Sequence, residues 1–364
     1  MISKDPKNAS NTPFISLYRK YRPASFAEVV GQDQVVSVLK QSIADGRLAH
    51  AYLFCGSRGT GKTSIARIFA EAIGTTRNDL YEIDAASNTS VEDIRELNEA
   101  VNTIPFESKY KVYILDEVHM LSKSAFNAFL KTLEEPPKHV IFILATTEKE
   151  KLPETIVSRC QVFQFKKPTT EILKGVVENV AKKEGVKIEG AAAELIALLG
   201  DGSFRDTLGI LQKVMSQVGE GRVKDSDTVT LKAVEDITGA PKSALVLAYV
   251  KGLVEKNREG AKEEALSALA TASSENIDMK VFAVLVLARL RYLLLTSAAP
   301  ALAKIQSANF SVDELTALGA IKTEEQHLVK ALYALLDAGQ QIGKSGIATL
   351  PLELAVVKLS EVKN

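Results

Sequence analysis

Between Tyr52 and about Phe165, short apolar runs alternate with stretches in which apolar residues recur every three or four positions. YLFC precedes a helical pattern from Thr63, LYEID precedes VEDIRELNEAVN, YKVYILD precedes SAFNAFLKTLEE, and VIFILATT closes the series. The runs KVYIL and VIFIL are apolar without a break after the opening lysine, which predicts strands buried on both faces. Strands alternating with helices then give an α/β fold, a parallel sheet with helices on both sides. After Val91, the residues Ile94, Leu97 and Val101 fall at helical spacing and provide one stripe against that sheet. Phe126, Phe129, Leu130 and Leu133 repeat in the same way; core packing is the commoner meaning of such a stripe, and a face turned to a partner the rarer one.

The pattern changes after Lys166-Lys167-Pro168. Residues 169 to 218 carry three amphipathic helical patterns separated by EGVKIEG and GDGSF, with no strand-like run. A second break falls near Gly239-Ala240-Pro241, and from Lys242 onward the chain is rich in Ala and Leu. The stretch MKVFAVLVLARLRYLLL is more continuously apolar than one exposed helix face needs, so a buried or partner-covered helix is expected there, too short in its uncharged part to span a bilayer. The expected organisation is a disordered arm over 1–13, an α/β core over 14–167, a small helical domain over 168–240 and an all-helical domain over 241–364.

Composition narrows the chemistry. At 364 residues and 46% hydrophobic content the chain can hold more than one packed domain. Lys plus Arg equals Asp plus Glu at 45 each, so no global positive field draws the chain to DNA or to an anionic membrane. Cys55 and Cys160, the two cysteines, are too few for a four-ligand zinc site or a disulfide framework and fit a reducing compartment, the cytoplasm by default. The first residues carry no apolar core of an export signal.

Gly56-Ser57-Arg58-Gly59-Thr60-Gly61-Lys62-Thr63 matches G-x-x-x-x-G-K-[ST] between a predicted strand and a predicted helix. Glycines let backbone N–H groups curl around phosphate oxygens, and the helix N-terminus adds partial positive charge. Lys62 reaches the β- and γ-phosphates and Thr63 offers a hydroxyl to Mg²⁺; Ser64, the next residue, is included in the nucleotide-binding set. An ATPase also needs acid at the end of a neighbouring strand, and KVYILDE supplies it, with Asp116 for the metal and Glu117 to polarise the attacking water. Thr146 and Thr147, at the end of VIFIL, are placed to sense the γ-phosphate or orient that water. Arg159 and Arg205 are isolated cations at element boundaries, the first better placed to project outward and the second to close over the phosphates.

With these residues assembled, the chain resembles the AAA+ clamp-loader ATPases, in particular the bacterial DNA polymerase III gamma/tau family. The resemblance is carried by LYRKYRPASFAEVVGQDQV, YEIDAASNTSVEDIREL, VYILDEVHMLSKSAFNAFLKTLEEPP, IVSRCQVFQF and GDGSFRDTLGILQ, and covers Leu17 to about Gly239. It implies an AAA+ P-loop core with a helical lid and an oligomerisation collar, ATP and Mg²⁺ as ligands, and an adenine pocket at Tyr18, Arg22, Val29 and Val30. Arg159 would act in trans as an arginine finger, Arg205 in cis as sensor 2, and Thr146 and Thr147 would occupy the sensor 1 region. The implied partners are other loader subunits in a hetero-oligomeric, pentameric ring, a sliding clamp and primed DNA bound without sequence preference. The interval AEAIGTTRNDL is too short for the family's four-cysteine zinc module, so no zinc is expected. A branch-migration motor would need a pore loop or a DNA-reading wing, and a non-hydrolysing loader subunit would have a decayed phosphate loop; neither pattern is evident.

Overall fold

The computed structural model describes residues 15–87, 90–219, 228–255 and 260–361. The expected disordered arm, 1–13, lies outside them. Five strands, β1 (Ala51–Cys55), β2 (Leu80–Asp84), β3 (Lys111–Asp116), β4 (Val140–Thr146) and β5 (Gln161–Gln164), form one parallel sheet in the order β2-β3-β4-β1-β5. Every residue of β1 and β4 is buried, as an unbroken apolar run requires of a strand covered on both faces.

Alternation along the strands divides the side chains between two cores. Tyr52, Phe54, Val112, Ile114, Ile141 and Ile143 pack on one face with Leu39 of α2 (Asp33–Ala44, after the short α1, Leu17–Lys20) and Ile65 and Phe69 of α3 (Lys62–Ala72). Leu53, Tyr113, Leu115, Phe142 and Leu144 pack on the other with Ile94 and Leu97 of α4 (Val91–Ala100) and Phe126, Phe129 and Leu133 of α5 (Lys123–Glu134). The stripe on α5 is therefore core. Ser90 and Ser122 cap α4 and α5 by accepting backbone N–H groups, Ser90 as half of a capping box.

The short α6 (Glu154–Val157) leads into β5. That strand was not expected: only Phe163 points inward, so QVFQ shows no apolar run, and parallel pairing to β1 alone makes it an edge.

The chain divides into two compact units, one holding the sequence through Ile172 together with Gly202–Gly209, the other Leu173–Asp201 and the residues from Ile210 on. Three helices continue the order, α7 (Thr170–Lys183), α8 (Gly190–Leu199) and α9 (Phe204–Gly219). A parallel pair of two-residue strands, β6 (Lys187–Ile188) and β7 (Thr228–Val229), corrects the expectation that the 169–218 region has no strand. So short a ladder has no periodicity to read. Beyond α10 (Leu231–Thr238), which ends on Gly239, come α11 (Ser243–Val254), α12 (Ala261–Ser274), α13 (Met279–Ala298), α14 (Pro300–Gln306), α15 (Val312–Gly319), α16 (Glu325–Gln341) and α17 (Leu350–Glu361).

Helix α13 holds the whole of MKVFAVLVLARLRYLLL, with Arg289 and Arg291 inside it, and continues to Ala298. At 20 residues and mean hydropathy 1.8 it has the length and composition of a membrane span. In this fold it packs on α11 and α16, burying Phe282, Val286 and Leu290. Arg289, only 6% exposed, pairs with Glu314 on α15, whose carboxylate also accepts the Ser243 hydroxyl. The Arg289 charge holds the Glu314 carboxyl below the usual range against the opposing effect of burial.

Candidate functional site

The phosphate-loop sequence bridges β1 and α3 at the carboxyl ends of the parallel strands, the edge where open α/β sheets bind ligands. Backbone conformation explains its glycines. Gly59 sits at φ 74°, and a Cβ there would lie 2.0 Å from Ser203 Oγ. Gly61, at φ 99°, is the N-cap of α3. Neighbouring segments hold the loop from outside: Gly56 N–H donates to Thr146 O at 3.2 Å and Phe204 N–H to Gly59 O at 3.0 Å. Thr60 Oγ1 donates to Ser57 O at 2.9 Å.

Lys62 is buried, with Nζ donating to Gly56 O at 2.8 Å and Ser57 O at 3.0 Å. Burial lowers its pKa, while the Glu117 and Asp116 carboxylates favour the charged form. Ser57 Oγ is buried and has no hydrogen-bond partner among the described residues. A buried ammonium, an orphan hydroxyl and a helix N-terminus around one glycine-lined turn are a donor set suited to phosphate oxygens. Ser64 is half-buried in the first turn of α3, and Arg58 is exposed.

At the end of β3, Asp116 Oδ2 accepts the Thr63 hydroxyl at 2.7 Å and Oδ1 accepts the Glu117 N–H at 3.0 Å. Both carboxylate oxygens are thereby aimed. One hydroxyl and one carboxylate side by side are the hard oxygen donors that Mg²⁺ takes beside phosphate, so the residues present fit that ion.

Glu117 adopts the left-handed conformation, φ 49° and ψ 44°, at a cost of roughly 1–2 kcal/mol for a residue with a Cβ. Such strain is characteristic of functional sites. Its Oε2 accepts the Thr147 hydroxyl at 3.1 Å, which brings the ends of β3 and β4 together. Thr146 is fully buried and bonded to His119 at 2.9 Å.

Arg205, near the N-terminus of α9, lies over the Tyr18 ring at 5.8 Å. It is close enough to Lys62 and Arg22 that its charge lowers the pKa of each, with desolvation the larger cause in both. Val29 packs against the α3 face of the sheet, and Val30 is exposed. The structure thus brings Lys62, Thr63, Asp116, Glu117 and Thr147 into one cluster, with Tyr18, Arg22 and Arg205 sharing a cationic neighbourhood beside it. Arg159 is not among the residues bonded there; its guanidinium donates to Thr155 O at 2.7 Å and pairs with Glu134 on α5. Cys55 is buried and Cys160 half-buried, and burial pushes the Cys160 thiol up to about 12.

Three residues escaped sequence reasoning. The Gln32 side chain donates to Lys166 O at 2.8 Å and Thr60 O at 3.4 Å, and Ser203 packs on Gly59. His119 faces Glu117, Thr146 and Glu148. No spacing rule flags any of them: Gln32 and Ser203 act through contacts distant in sequence, and so does His119 toward Thr146 and Glu148.

A family model described as DNA polymerase III, delta subunit, matches residues 31–86 and 76–169. Among curated proteins, the DNA polymerase III subunit tau of Bacillus subtilis is 37% identical, over 96% of this chain and 64% of that protein. The subunit tau of Escherichia coli is 39% identical, over 78% of this chain and 46% of that protein. The gamma/tau subunit of Mycoplasma pneumoniae is 43% identical, over 60% of this chain and 34% of that protein. The chain therefore spans less than two thirds of these relatives' length. Among solved structures, the Thermotoga maritima RuvB Holliday junction branch migration motor aligns with a TM-score of 0.51 at 22% identity, over 71% of this chain and 86% of that one. A point variant of the same protein gives 0.51 at 22% identity, over 70% and 88%. At that identity the likeness shows the fold alone, an α/β core on a parallel sheet, and nothing of the function.

Proposed function

We propose, from these similarities, that the chain is a member of the bacterial DNA polymerase III gamma/tau family and an ATP-hydrolysing subunit of the clamp loader, opening a sliding clamp and loading it onto primed DNA. The observation that carries the ATPase reading is the cluster in which the hydroxyl after the phosphate-loop lysine meets the first acid of β3, with the second acid beside it.

In this reading Gly56 to Ser64 hold the triphosphate, with Lys62 on the β- and γ-phosphates. Thr63 and Asp116 hold Mg²⁺, which when bound offsets phosphate charge and orients the phosphates. Glu117 takes the proton of the attacking water, and its hydrogen bond to Thr147 keeps the carboxylate on the side facing β4. Tyr18, Arg22, Val29 and Val30 line the base pocket.

Arg205 approaches the phosphates from the same chain, a role supported by its influence on Lys62. Arg159 serves the nucleotide of a neighbouring subunit. Its contacts with Thr155 and Glu134 leave it outside the hydrogen-bonded cluster of its own chain, in keeping with action in trans. An arginine supplied by a neighbour stabilises transition-state charge only once the ring has formed, so hydrolysis reports on assembly.

The proposed organisation is an ATPase core over 14–167, a lid over 168–240 and a collar over 241–364, working in a pentameric hetero-oligomer in the cytoplasm. With no net charge on the chain, DNA is held by local phosphate contacts that read no sequence.

ATP turnover measured with the partner subunits, with and without primed DNA and the clamp, tests this reading. Stimulation by both is expected, with Arg159→Ala retaining ATP binding and losing the stimulated turnover. Turnover indifferent to clamp and DNA contradicts the loader function, and unchanged turnover in Arg159→Ala contradicts the trans role.

A further inference from the structure

We propose that His119 is a positioning residue for Glu117, an imidazole that ties the carboxylate at the end of β3 to the polar end of β4. The inference rests on the ATPase reading above. The His119 side chain is 6% exposed. Its Nδ1 lies 2.9 Å from Thr146 Oγ1 and 3.5 Å from Glu117 Oε2, and its Nε2 lies 3.3 Å from Glu148 Oε1.

These contacts fix the ring on both edges. The Thr146 hydroxyl accepts the Glu148 N–H at 3.0 Å, which leaves its own proton to donate. In the neutral tautomer with the proton on Nε2, Thr146 donates to Nδ1 and the ring turns its N–H toward Glu148. Glu148 is in turn held by Lys151 at 2.8 Å. Because the Nδ1 lone pair is then engaged by Thr146, the ring confines Glu117 sterically without donating a proton to it. The Glu117 Oε2 keeps the Thr147 hydroxyl as its donor, and the carboxylate is held in a fixed place.

The backbone makes the arrangement possible. The left-handed turn at Glu117, closed by Met120 N–H on Glu117 O at 2.9 Å, folds His119 back toward the carboxylate two residues earlier. Thr146, on the other edge of the ring, receives the Gly56 N–H on its carbonyl at 3.2 Å. His119 thus connects the proposed base to the strand that abuts the phosphate loop. A histidine that merely filled core would not need those neighbours.

The test is steady-state ATP turnover and nucleotide affinity of the assembled complex carrying His119→Ala, His119→Asn or His119→Gln, with Glu117→Gln and Lys62→Ala as controls. The Asn amide reaches the position of Nδ1 and the Gln amide that of Nε2. Removing the ring should lower kcat by roughly 10- to 100-fold, the effect of displacing a catalytic group by about an ångström. ATP affinity should stay within about threefold. Asn should recover most of the turnover and Gln little. Wild-type kcat in His119→Ala, with Glu117→Gln inactive, overturns the inference while leaving the ATPase reading standing. Equal loss of kcat and ATP affinity in all three variants also overturns it, since that is the mark of a structural role. Wild-type turnover in Glu117→Gln removes the ATPase reading and this inference together.

Discussion

The Thr63 hydroxyl donates to the Asp116 carboxylate at 2.7 Å, joining the start of α3 to the end of β3 across 53 positions of sequence. The bond fixes two hard oxygens side by side, which makes the Mg²⁺ requirement separable from ATP affinity. Thr63→Val should raise the Mg²⁺ concentration needed for half-maximal turnover by roughly tenfold or more, while Thr63→Ser stays near wild type. A Mg²⁺ titration of turnover checks this; equal curves for Val and wild type contradict the assignment.

Gly59 faces Ser203 with no room for a side chain and with a positive φ. Gly59→Ala therefore combines backbone strain with overpacking, at a cost of roughly 1–3 kcal/mol. Thermal unfolding should shift down and nucleotide affinity should fall together. Gly59→Ala combined with Ser203→Gly should recover part of the stability, and a double variant no better than the single one contradicts the steric account.

Asp79 is buried and accepts three backbone N–H groups, from Phe106 at 2.5 Å, Glu107 at 3.0 Å and Ser108 at 2.8 Å. Burial raises its pKa, but these bonds favour the carboxylate more and bring it from 3.8 to about 2. A folded pKa below the unfolded one contributes stability that is fully present above pH 3.8 and is lost as pH falls toward about 2. Asp79→Asn should flatten the acid limb of the stability curve over that window and destabilise the protein at neutral pH by roughly 1–3 kcal/mol. Urea unfolding between pH 5 and 2, about the range over which carboxylates titrate, reads both effects; an unchanged acid limb contradicts the role given to Asp79.

How much of this was readable beforehand follows from the range of each interaction. The four apolar runs that became β1 to β4, and the phosphate loop between β1 and α3, are local patterns and appear in the sequence as they do in the fold. Asp116 and Glu117 were found because acid at a strand end is also local. β5 was not, since an edge strand with one inward phenylalanine carries no alternation to detect. Gln32 and Ser203 act on segments remote in sequence, and His119, although two residues from Glu117, is fixed by Thr146 and Glu148 on another strand end, so no local pattern marks any of the three. The helix at MKVFAVLVLARLRYLLL is legible because its apolar run is local, whereas the buried pairing of Arg289 with Glu314 is not, since it joins residues distant in sequence.

That pair gives a further expectation. Glu314→Ala leaves the Arg289 charge buried without its carboxylate, costing roughly 3–5 kcal/mol. Replacing both, as Arg289→Met with Glu314→Leu, should restore most of the stability. Calorimetry on the single and double variants distinguishes the cases, and a single variant within about 1 kcal/mol of wild type contradicts the burial argument.

Glu117 as the general base is best examined by single-turnover ATP hydrolysis in the assembled complex with clamp and primed DNA, alongside nucleotide affinity. Glu117→Gln should bind ATP as tightly as wild type and hydrolyse it more slowly by roughly 100-fold or more. Hydrolysis at the wild-type rate in that variant would contradict the scheme built on the Lys62, Thr63, Asp116 and Glu117 cluster.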